Sequence, residues 1–309
     1  MNWRVKGVTQ KVLSLLPAGQ RVNSVLQERL GGLRRFEAHV DTKIHADWLA
    51  LVAHLREIGC PIAGNTFLEI GTGRFPALPF GFALAGARRC FTFDVAPLLD
   101  GRLTRRMTER FEAHLPVIAE KLGLGEASVR ERWARLAGAA TAEELLRLAA
   151  IEYRAPADAA ASGLPDASVG VVFSNSVLEH VEPAALGPLM RETRRILRPD
   201  GLAIHAVNCG DHYARFDRRL TQIHYLRFPE REWRIWNNAL QYQNRLRAND
   251  FLEAAEREGL QIVLDRQRPR PELLARLGEF PIAPEFRHYS PAQLCTTSLT
   301  FVARARARG

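Results

Sequence analysis

Cysteine is scarce in this chain of 309 residues, and hydrophobic runs long enough to cross a bilayer are absent. The four cysteines, Cys60, Cys90, Cys209 and Cys295, are far apart and form no C-x-x-C pair. This spacing argues against a zinc site and a disulfide framework, so we expect reduced thiols and no metal. Polar residues also interrupt the apolar residues of the N-terminus. The sequence therefore predicts a cytoplasmic protein with no transmembrane segment and no secretion signal.

Acidic residues are outnumbered by basic ones, 34 against 43, which gives a formal net charge of +9. A positive balance of this kind can attract nucleic acid, anionic lipid or an acidic substrate. It is equally compatible with a solvated, arginine-rich surface that has no specific partner. The charge alone selects none of these readings.

The chain is long enough for one large α/β domain with insertions. Apolar residues at helical spacing indicate a helical N-terminal cap over residues 1–60. Residues 61–309 then form the main domain, with a helical insertion at about 100–150 and an aromatic-rich insertion at 208–247. Strand and helix patterns alternate through this domain, which predicts a Rossmann-like, doubly wound, mostly parallel sheet of seven strands.

The predicted strands are short apolar segments, most of them separated by helical patterns. They fall near residues 67–70, 89–95, 151–153, 169–173, 202–207, 260–264 and 298–303. A helix from Asn249 to Glu258 should begin with Asn249 or Asp250 as its N-cap and end at Gly259.

A glycine turn follows the first predicted strand in the stretch TFLEIGTGRFP, residues 66–76. Gly71 and Gly73 let the backbone turn tightly and approach a ligand closely. The dinucleotide fingerprint requires a third glycine, and Pro76 stands at that position. The turn therefore disfavours an NAD-dependent oxidoreductase.

Polar residues follow each of the first four strands, at the sheet edge where ligands bind in open α/β folds. Asp94 comes 23 positions after Gly71, the spacing of an acid that binds both ribose hydroxyls. Either Glu69 or Asp94 alone could simply cap a strand or helix end. Taken together, the four positions favour a nucleoside ligand.

The stretch from residue 66 to residue 207 resembles a class I S-adenosylmethionine-dependent methyltransferase. The resemblance rests on five motifs, which are E-x-G-x-G at Glu69 to Gly73, Asp94, Asp158 before L-P-D-A-S, V-L-E-H-V at Val177 to Val181, and R-R-I-L-R-P-D-G at Arg194 to Gly201. It implies a methyltransferase that uses S-adenosyl-L-methionine as its cofactor.

The resemblance also implies which residues contact that cofactor. The turn Gly71-Thr72-Gly73 would approach the methionine and ribose portions, Glu69 would hold the turn or the amino group, and Asp94 would accept the ribose hydroxyls. The remaining implied contacts are Asp158 and the Ala159 amide at adenine, and Ser174 and Asn175 at the methionine moiety.

Histidines after the fourth and fifth strands are the candidate catalytic groups. Methyl transfer needs a base only where the acceptor is protonated, and an imidazole can take such a proton near neutral pH. His180, His212 and Asp211 are therefore the candidates. A structural role for His180 and a surface position for His212 remain open, and His205 is expected in the core.

The favoured acceptor is an oxygen or nitrogen of a small metabolite, sugar or natural-product intermediate. A noncatalytic S-adenosylmethionine-binding regulator remains an alternative, as does a lipid acceptor, suggested by the basic amphipathic start from Trp3 to Leu16. Nucleic acid is disfavoured as an acceptor because Ser174-Asn175-Ser176-Val177 lacks a proline-aromatic motif for a flipped base. The aromatic insertion and the amide-rich residues 241–247 would either line an acceptor pocket or pack internally. The oligomeric state is left open.

Overall fold

The computed structural model describes residues 2–14, 35–240 and 242–306. Helix α1 spans Trp3–Ser14, and α2 is described from residue 35, continues through a π-helical segment at Lys43–Trp48 and ends with Leu49–Ile58. Residues 15–34 of the predicted cap lie outside the described residues. Among the residues described, no helix combines the length and apolarity needed to span a membrane.

Seven strands form one sheet in the order β3-β2-β1-β4-β5-β7-β6. The strands are β1 (Thr66–Ile70), β2 (Arg89–Phe93), β3 (Ile151–Arg154), β4 (Val169–Asn175), β5 (Leu197–Asn208), β6 (Leu260–Pro269) and β7 (Thr296–Ala305). The first five pair in parallel, whereas β7 runs antiparallel between β5 and β6. The predicted doubly wound, mostly parallel sheet is confirmed, and its order reverses between β1 and β4.

Helices pack on both faces of this sheet, so the central strands β1 and β4 are buried on both sides. They are α3 (Ala77–Leu84), α4 (Gly101–Glu112), α5 (Leu115–Leu122), α6 (Glu126–Ala137), α7 (Ala142–Leu148), α8 (Pro183–Ile196), α9 (Glu230–Trp236), α10 (Ala248–Arg257), α11 (Pro271–Leu274) and α12 (Pro291–Cys295). Side chains alternate along each strand, so Phe67 joins the core under α2 to α7 and Leu68 joins the core under α8 and α10.

Helix α10 begins differently from the sequence prediction. The N-cap is Arg247, whereas Asn249 and Asp250 both lie inside the helix. The Asp250 carboxylate accepts the backbone N–H of Arg247 at 2.6 Å, so this acid stabilises the first turn from its third position. The prediction of Asn249 or Asp250 as the cap was wrong because Asp250 acts from the N3 position.

The aromatic-rich insertion forms a small core of its own beside the sheet. Trp3 of α1 packs among the rings of Tyr213 and Trp236, with centroids 5.5 and 4.7 Å away. Tyr225 and Trp233 are buried in the same cluster. Helix α1 is therefore held against the insertion by aromatic packing.

Candidate functional site

The glycine turn lies at the carboxyl end of β1, where the strand order reverses. Gly71 has φ +81°, and a Cβ there would lie 2.5 Å from Val177 Cγ2, so only glycine fits against the turn that follows β4. Gly73 has φ +71°, and a Cβ there would meet no atom within 4 Å. The first glycine is thus required by internal packing, while the second faces open space.

Asp94 follows β2 and is connected directly to this turn. Its carboxylate accepts the Gly73 N–H at 2.9 Å and lies 3.4 Å from the Ala96 nitrogen, while the side chain is 8% exposed. The neighbouring Val95 is 81% exposed, an unusual position for a large apolar side chain. The sequence analysis missed Val95, although its position directly after Asp94 was a usable signal.

Glu69 and the threonines beneath the turn form a buried polar group. Thr92 donates to Glu69 Oε2 at 2.7 Å, and the Thr72 hydroxyl contacts that of Thr92. Burial raises the pKa of Glu69 to about 7 despite the bond from Thr92. Both Glu69 and Thr72 therefore support the turn from below in this structure.

Replacing Glu69 with glutamine should change how stability depends on pH. The folded-state pKa of about 7 lies above the ordinary 4.5, so wild-type stability falls as pH rises through this window and levels off above it. Relative to the variant, wild type should lose about 3 kcal/mol between pH 4.5 and 8. Urea unfolding of both proteins across this range measures the difference. Parallel pH profiles would contradict a buried, proton-binding Glu69.

The third strand brings Asp158 and Ala159 to the same edge. The Ala157 N–H donates to the Asp94 carbonyl at 2.9 Å, which joins the loop after β3 to the end of β2. Asp158 is exposed, and its carboxylate accepts the Ala160 N–H at 2.8 Å, capping a short 3₁₀ helix at Ala159–Ala161. The structure therefore places the loop that carries Asp158 and Ala159 against the end of β2.

Ser174 and Asn175 end β4, but their environments differ. The Ser174 hydroxyl is fully buried and bonds to His205 Nδ1 at 2.8 Å. Burial lowers the pKa of His205 to about 3, so this pair is a neutral contact within the sheet. Asn175 is half-buried at the edge. The structure thus keeps His205 in the core as expected and directs the Ser174 hydroxyl toward it.

Glu179, His180 and His212 converge after β4 and β5. Glu179 and His180 lie on the 3₁₀ turn Leu178–His180, and the two imidazole centroids are 5.1 Å apart. His212 Nε2 is 4.0 Å from Glu179 Oε1. The structure therefore brings together the two predicted histidines and adds Glu179, whose part in this group the sequence analysis did not recognise.

Desolvation shifts the pKa of all three groups, although His180 is the exposed member. It raises the pKa of Glu179 to about 7 against the opposing effect of the backbone amides of Glu179 and Asn208. It lowers the pKa of His212 to about 3, an effect to which Arg215 also contributes, and it lowers the pKa of His180. His212 is thus neutral and a weak base, while each imidazole has a lone pair that can bind a cation.

Asp211 lies outside this group. One carboxylate oxygen accepts the Tyr213 N–H at 2.8 Å, and the other lies 3.2 Å from His224 Nδ1. These contacts stabilise the loop after β5 and connect the carboxylate to the aromatic insertion. In this structure Asp211, a candidate base from the sequence, stabilises the loop after β5 through a contact on each of its oxygens.

The amide-rich segment supports the histidine group from behind. The Gln243 side chain accepts the backbone N–H of His212 at 3.2 Å and donates to the Gly210 carbonyl at 2.7 Å. The Asn244 side chain donates to the Leu178 and Val181 carbonyls, both at 2.8 Å. The sequence left two interpretations of this segment, an acceptor pocket and internal packing. The structure shows the second, a buried hydrogen-bond network.

Helix α1 points polar side chains inward and valines outward. Lys6 is nearly buried over the ring of Phe216, and burial, with the nearby Arg215, lowers the pKa of Lys6 to about 7. The exposed face carries Val5, Val8 and Val12. The helix therefore covers the insertion with one face and presents an apolar stripe on the other.

Comparisons with known proteins agree with the fold. A family profile described as "Methyltransferase domain" matches residues 121–205, a segment that includes β3, β4, most of β5 and Glu179. A comparison with curated proteins gives no match. The profile match and the strand order confirm the resemblance to a class I methyltransferase and, with it, S-adenosyl-L-methionine as the cofactor that the resemblance implies.

Similar solved structures have low sequence identity. An S-adenosylmethionine-dependent methyltransferase from Mesorhizobium loti is 18% identical, with 82% of this chain and 96% of that chain covered and a TM-score of 0.43. Geranyl diphosphate C-methyltransferase from Streptomyces coelicolor A3(2), solved with Mg²⁺, geranyl diphosphate and S-adenosyl-L-homocysteine, is 12% identical. The alignment covers 87% of this chain and 82% of that chain, with a TM-score of 0.46.

Proposed function

We propose that this chain transfers a methyl group from S-adenosyl-L-methionine to an oxygen or nitrogen of a small molecule. The observation that carries the proposal is the contact between Asp94 and Gly73 at the reversal of strand order. This is the position at which open α/β sheets bind ligands. A metabolite, sugar or natural-product intermediate is the acceptor class we favour.

The residues around Asp94 fit the adenosine portion of that cofactor. The Asp94 carboxylate keeps lone pairs for two ribose hydroxyls after accepting the Gly73 N–H. The open space above Gly73 admits the sugar and the methionine chain, and exposed Val95 offers an apolar surface to the flat face of adenine. Asp158 and the Ala159 amide lie where the edge of the base would reach.

The residues beyond β4 and β5 would receive the acceptor. When bound, the cofactor supplies a methyl group on a sulfonium, which is transferred by in-line displacement. The protein contributes mainly by positioning the acceptor oxygen or nitrogen at attack distance. His180 and His212 lie beyond the same strand ends, and the low pKa of His212 makes it a weak base. His180 is therefore the better candidate to take a proton from a hydroxyl or amine acceptor.

Alanine at Gly73 and at Gly64 gives a matched test of this proposal. Both glycines have φ +71° and open space at the Cβ position, but Gly64 lies before β1, away from the carboxyl edge. Each substitution should cost about 1–2 kcal/mol of stability because of its left-handed backbone. Gly73→Ala should also weaken binding of S-adenosyl-L-homocysteine by at least about tenfold, whereas Gly64→Ala should leave the affinity unchanged.

Calorimetry with S-adenosyl-L-homocysteine measures both affinities. Turnover of radiolabelled S-adenosyl-L-methionine with soluble metabolites and with lipids in vesicles then identifies the acceptor class. Turnover only on vesicles would favour a lipid acceptor, consistent with exposed Val5, Val8 and Val12 on α1. Tight binding without turnover on any acceptor would favour the noncatalytic alternative, and equal affinities of the two alanine variants would contradict the proposed site.

A further inference from the structure

We infer that Glu179, His180 and His212 form a binding site for a divalent transition-metal ion beside the proposed methyl-transfer site. The metal site itself rests on side-chain geometry, while its catalytic role rests on the proposed function. The cysteine spacing gave no indication of a metal, and these three residues come together only through folding. Each offers one ligand atom, and the three atoms lie within 4.8 Å of one another.

The environment of Glu179 is the strongest indication that a cation binds here. Its side chain is 1% exposed, and within the described part of the chain no donor makes a well-formed hydrogen bond to either carboxylate oxygen, although the backbone amides of Glu179 and Asn208 are near enough to lower its pKa. No described lysine or arginine forms an ion pair with it, and the nearest ionisable partner is His212 at 4.0 Å. A buried carboxylate without well-formed hydrogen bonds is costly, and a bound cation would satisfy the oxygen that ligates it.

Of the two histidines, His180 is oriented as metal-binding histidines usually are. His180 Nδ1 bonds to the Tyr242 carbonyl at 2.5 Å, so Nδ1 carries the proton and Nε2 presents a lone pair. A backbone carbonyl behind the ring fixes the tautomer of many metal-binding histidines in this way. His212 Nε2 faces both Glu179 and, at 3.4 Å, the Asn208 side-chain amide nitrogen.

The donor set selects a class of metal. Two imidazoles and one carboxylate suit divalent transition ions such as Fe²⁺, Co²⁺ and Zn²⁺ and leave coordination positions open. Ligand atoms about 2.0–2.2 Å from such an ion lie about 3–3.5 Å apart, so the group would contract by about 1 Å on binding. The positive charges of Arg215 and Lys6, which act on His212, oppose a cation and should keep the affinity moderate.

The location gives such an ion a role in the proposed reaction. Val177 packs against the Gly71 turn, and Glu179 and His180 follow on the next residues of the same segment. An acceptor hydroxyl bound at an open position would lose its proton to water more readily. Its oxygen would then form the bond to the methyl carbon while the carbon–sulfur bond breaks, with the electron pair remaining on sulfur as S-adenosyl-L-homocysteine.

The test measures binding of Co²⁺ alone to the chelator-treated full chain. Equilibrium dialysis with metal analysis should find one Co²⁺ per chain in wild type. Glu179→Gln and His212→Gln should each weaken that binding by at least about tenfold, since even outer residues of metal sites have effects of this size. The exposed His288 is the matched control, and His288→Gln should bind as wild type does.

The outcomes separate this inference from the proposed function. Wild type that binds no Co²⁺, or a Glu179→Gln variant that binds it as tightly as wild type, would overturn the metal site. If S-adenosyl-L-homocysteine still binds in that case, the proposed function stands, with a histidine as the base. Stoichiometric Co²⁺ binding lost in Glu179→Gln, without binding of S-adenosyl-L-homocysteine, would support the metal site and refute the proposed function.

Discussion

Replacing Arg247 with methionine is expected to lower the free energy of unfolding by about 3–5 kcal/mol. The Arg247 side chain is fully buried, and its guanidinium donates to the Cys209 carbonyl at 2.9 Å and to the Tyr225 hydroxyl at 2.8 Å. It also donates to the carbonyls of Leu294 and Thr296. Methionine fills much of the volume but donates nothing, so several buried acceptors would lose their partner.

The effect should be structural, because Arg247 joins the end of β5, the aromatic insertion and the start of β7. Chemical unfolding of the variant measures the loss of stability. The matched control is Arg266→Met, because Arg266 is exposed on β6 and forms a surface ion pair with Glu57 at 2.6 Å. That control should cost less than about 1 kcal/mol. A comparable, small effect at Arg247 would show that its hydrogen bonds contribute little to the fold.

Replacing Asp94 with alanine should weaken the binding of S-adenosyl-L-homocysteine by at least about 100-fold. Two hydrogen bonds from ribose hydroxyls to a charged acceptor are worth about 3 kcal/mol or more together. Loss of the carboxylate also releases the Gly73 N–H, which the Asp94 side chain now accepts at 2.9 Å. The turn would therefore lose both its ligand contact and its support.

Calorimetry of the Asp94→Ala variant gives this affinity directly. Asp265→Ala is the matched control, because Asp265 is exposed on β6, the edge strand at the opposite end of the sheet from β2. It should bind the ligand as wild type does. An Asp94→Ala variant with wild-type affinity would mean that the acid at the end of β2 supports the turn only.

The sheet could be predicted from sequence because its strands carry a strong local pattern. Thr66–Ile70 is entirely buried, and a short apolar run of this kind between helical segments is easily recognised as a strand from the sequence. Strands β6 and β7 extend beyond their predicted limits because antiparallel pairing lengthens them, whereas β5 begins earlier than predicted, where Leu197 pairs in parallel with Val169. Such pairing depends on residues far apart in the chain, so local periodicity does not define it.

The site was partly visible in the sequence, since the glycine turn and Asp94 follow strands at a characteristic spacing. The sequence could not show which of these polar side chains bond to other groups of the protein and which remain available to a ligand. Ser174 turns to His205, and Asp211 turns to His224, although both follow strands at the expected edge. The isolation of the Glu179 carboxylate is likewise a property of tertiary packing, as is the burial of Lys6.

The most direct test of this account is a crystal structure with S-adenosyl-L-homocysteine bound. Both ribose hydroxyls should lie about 2.5–3.0 Å from the Asp94 carboxylate, with the sugar in the open space at Gly73 and the sulfur toward Glu179, His180 and His212. A ligand bound elsewhere, with Asp94 contacting only the backbone of its own chain, would contradict the account.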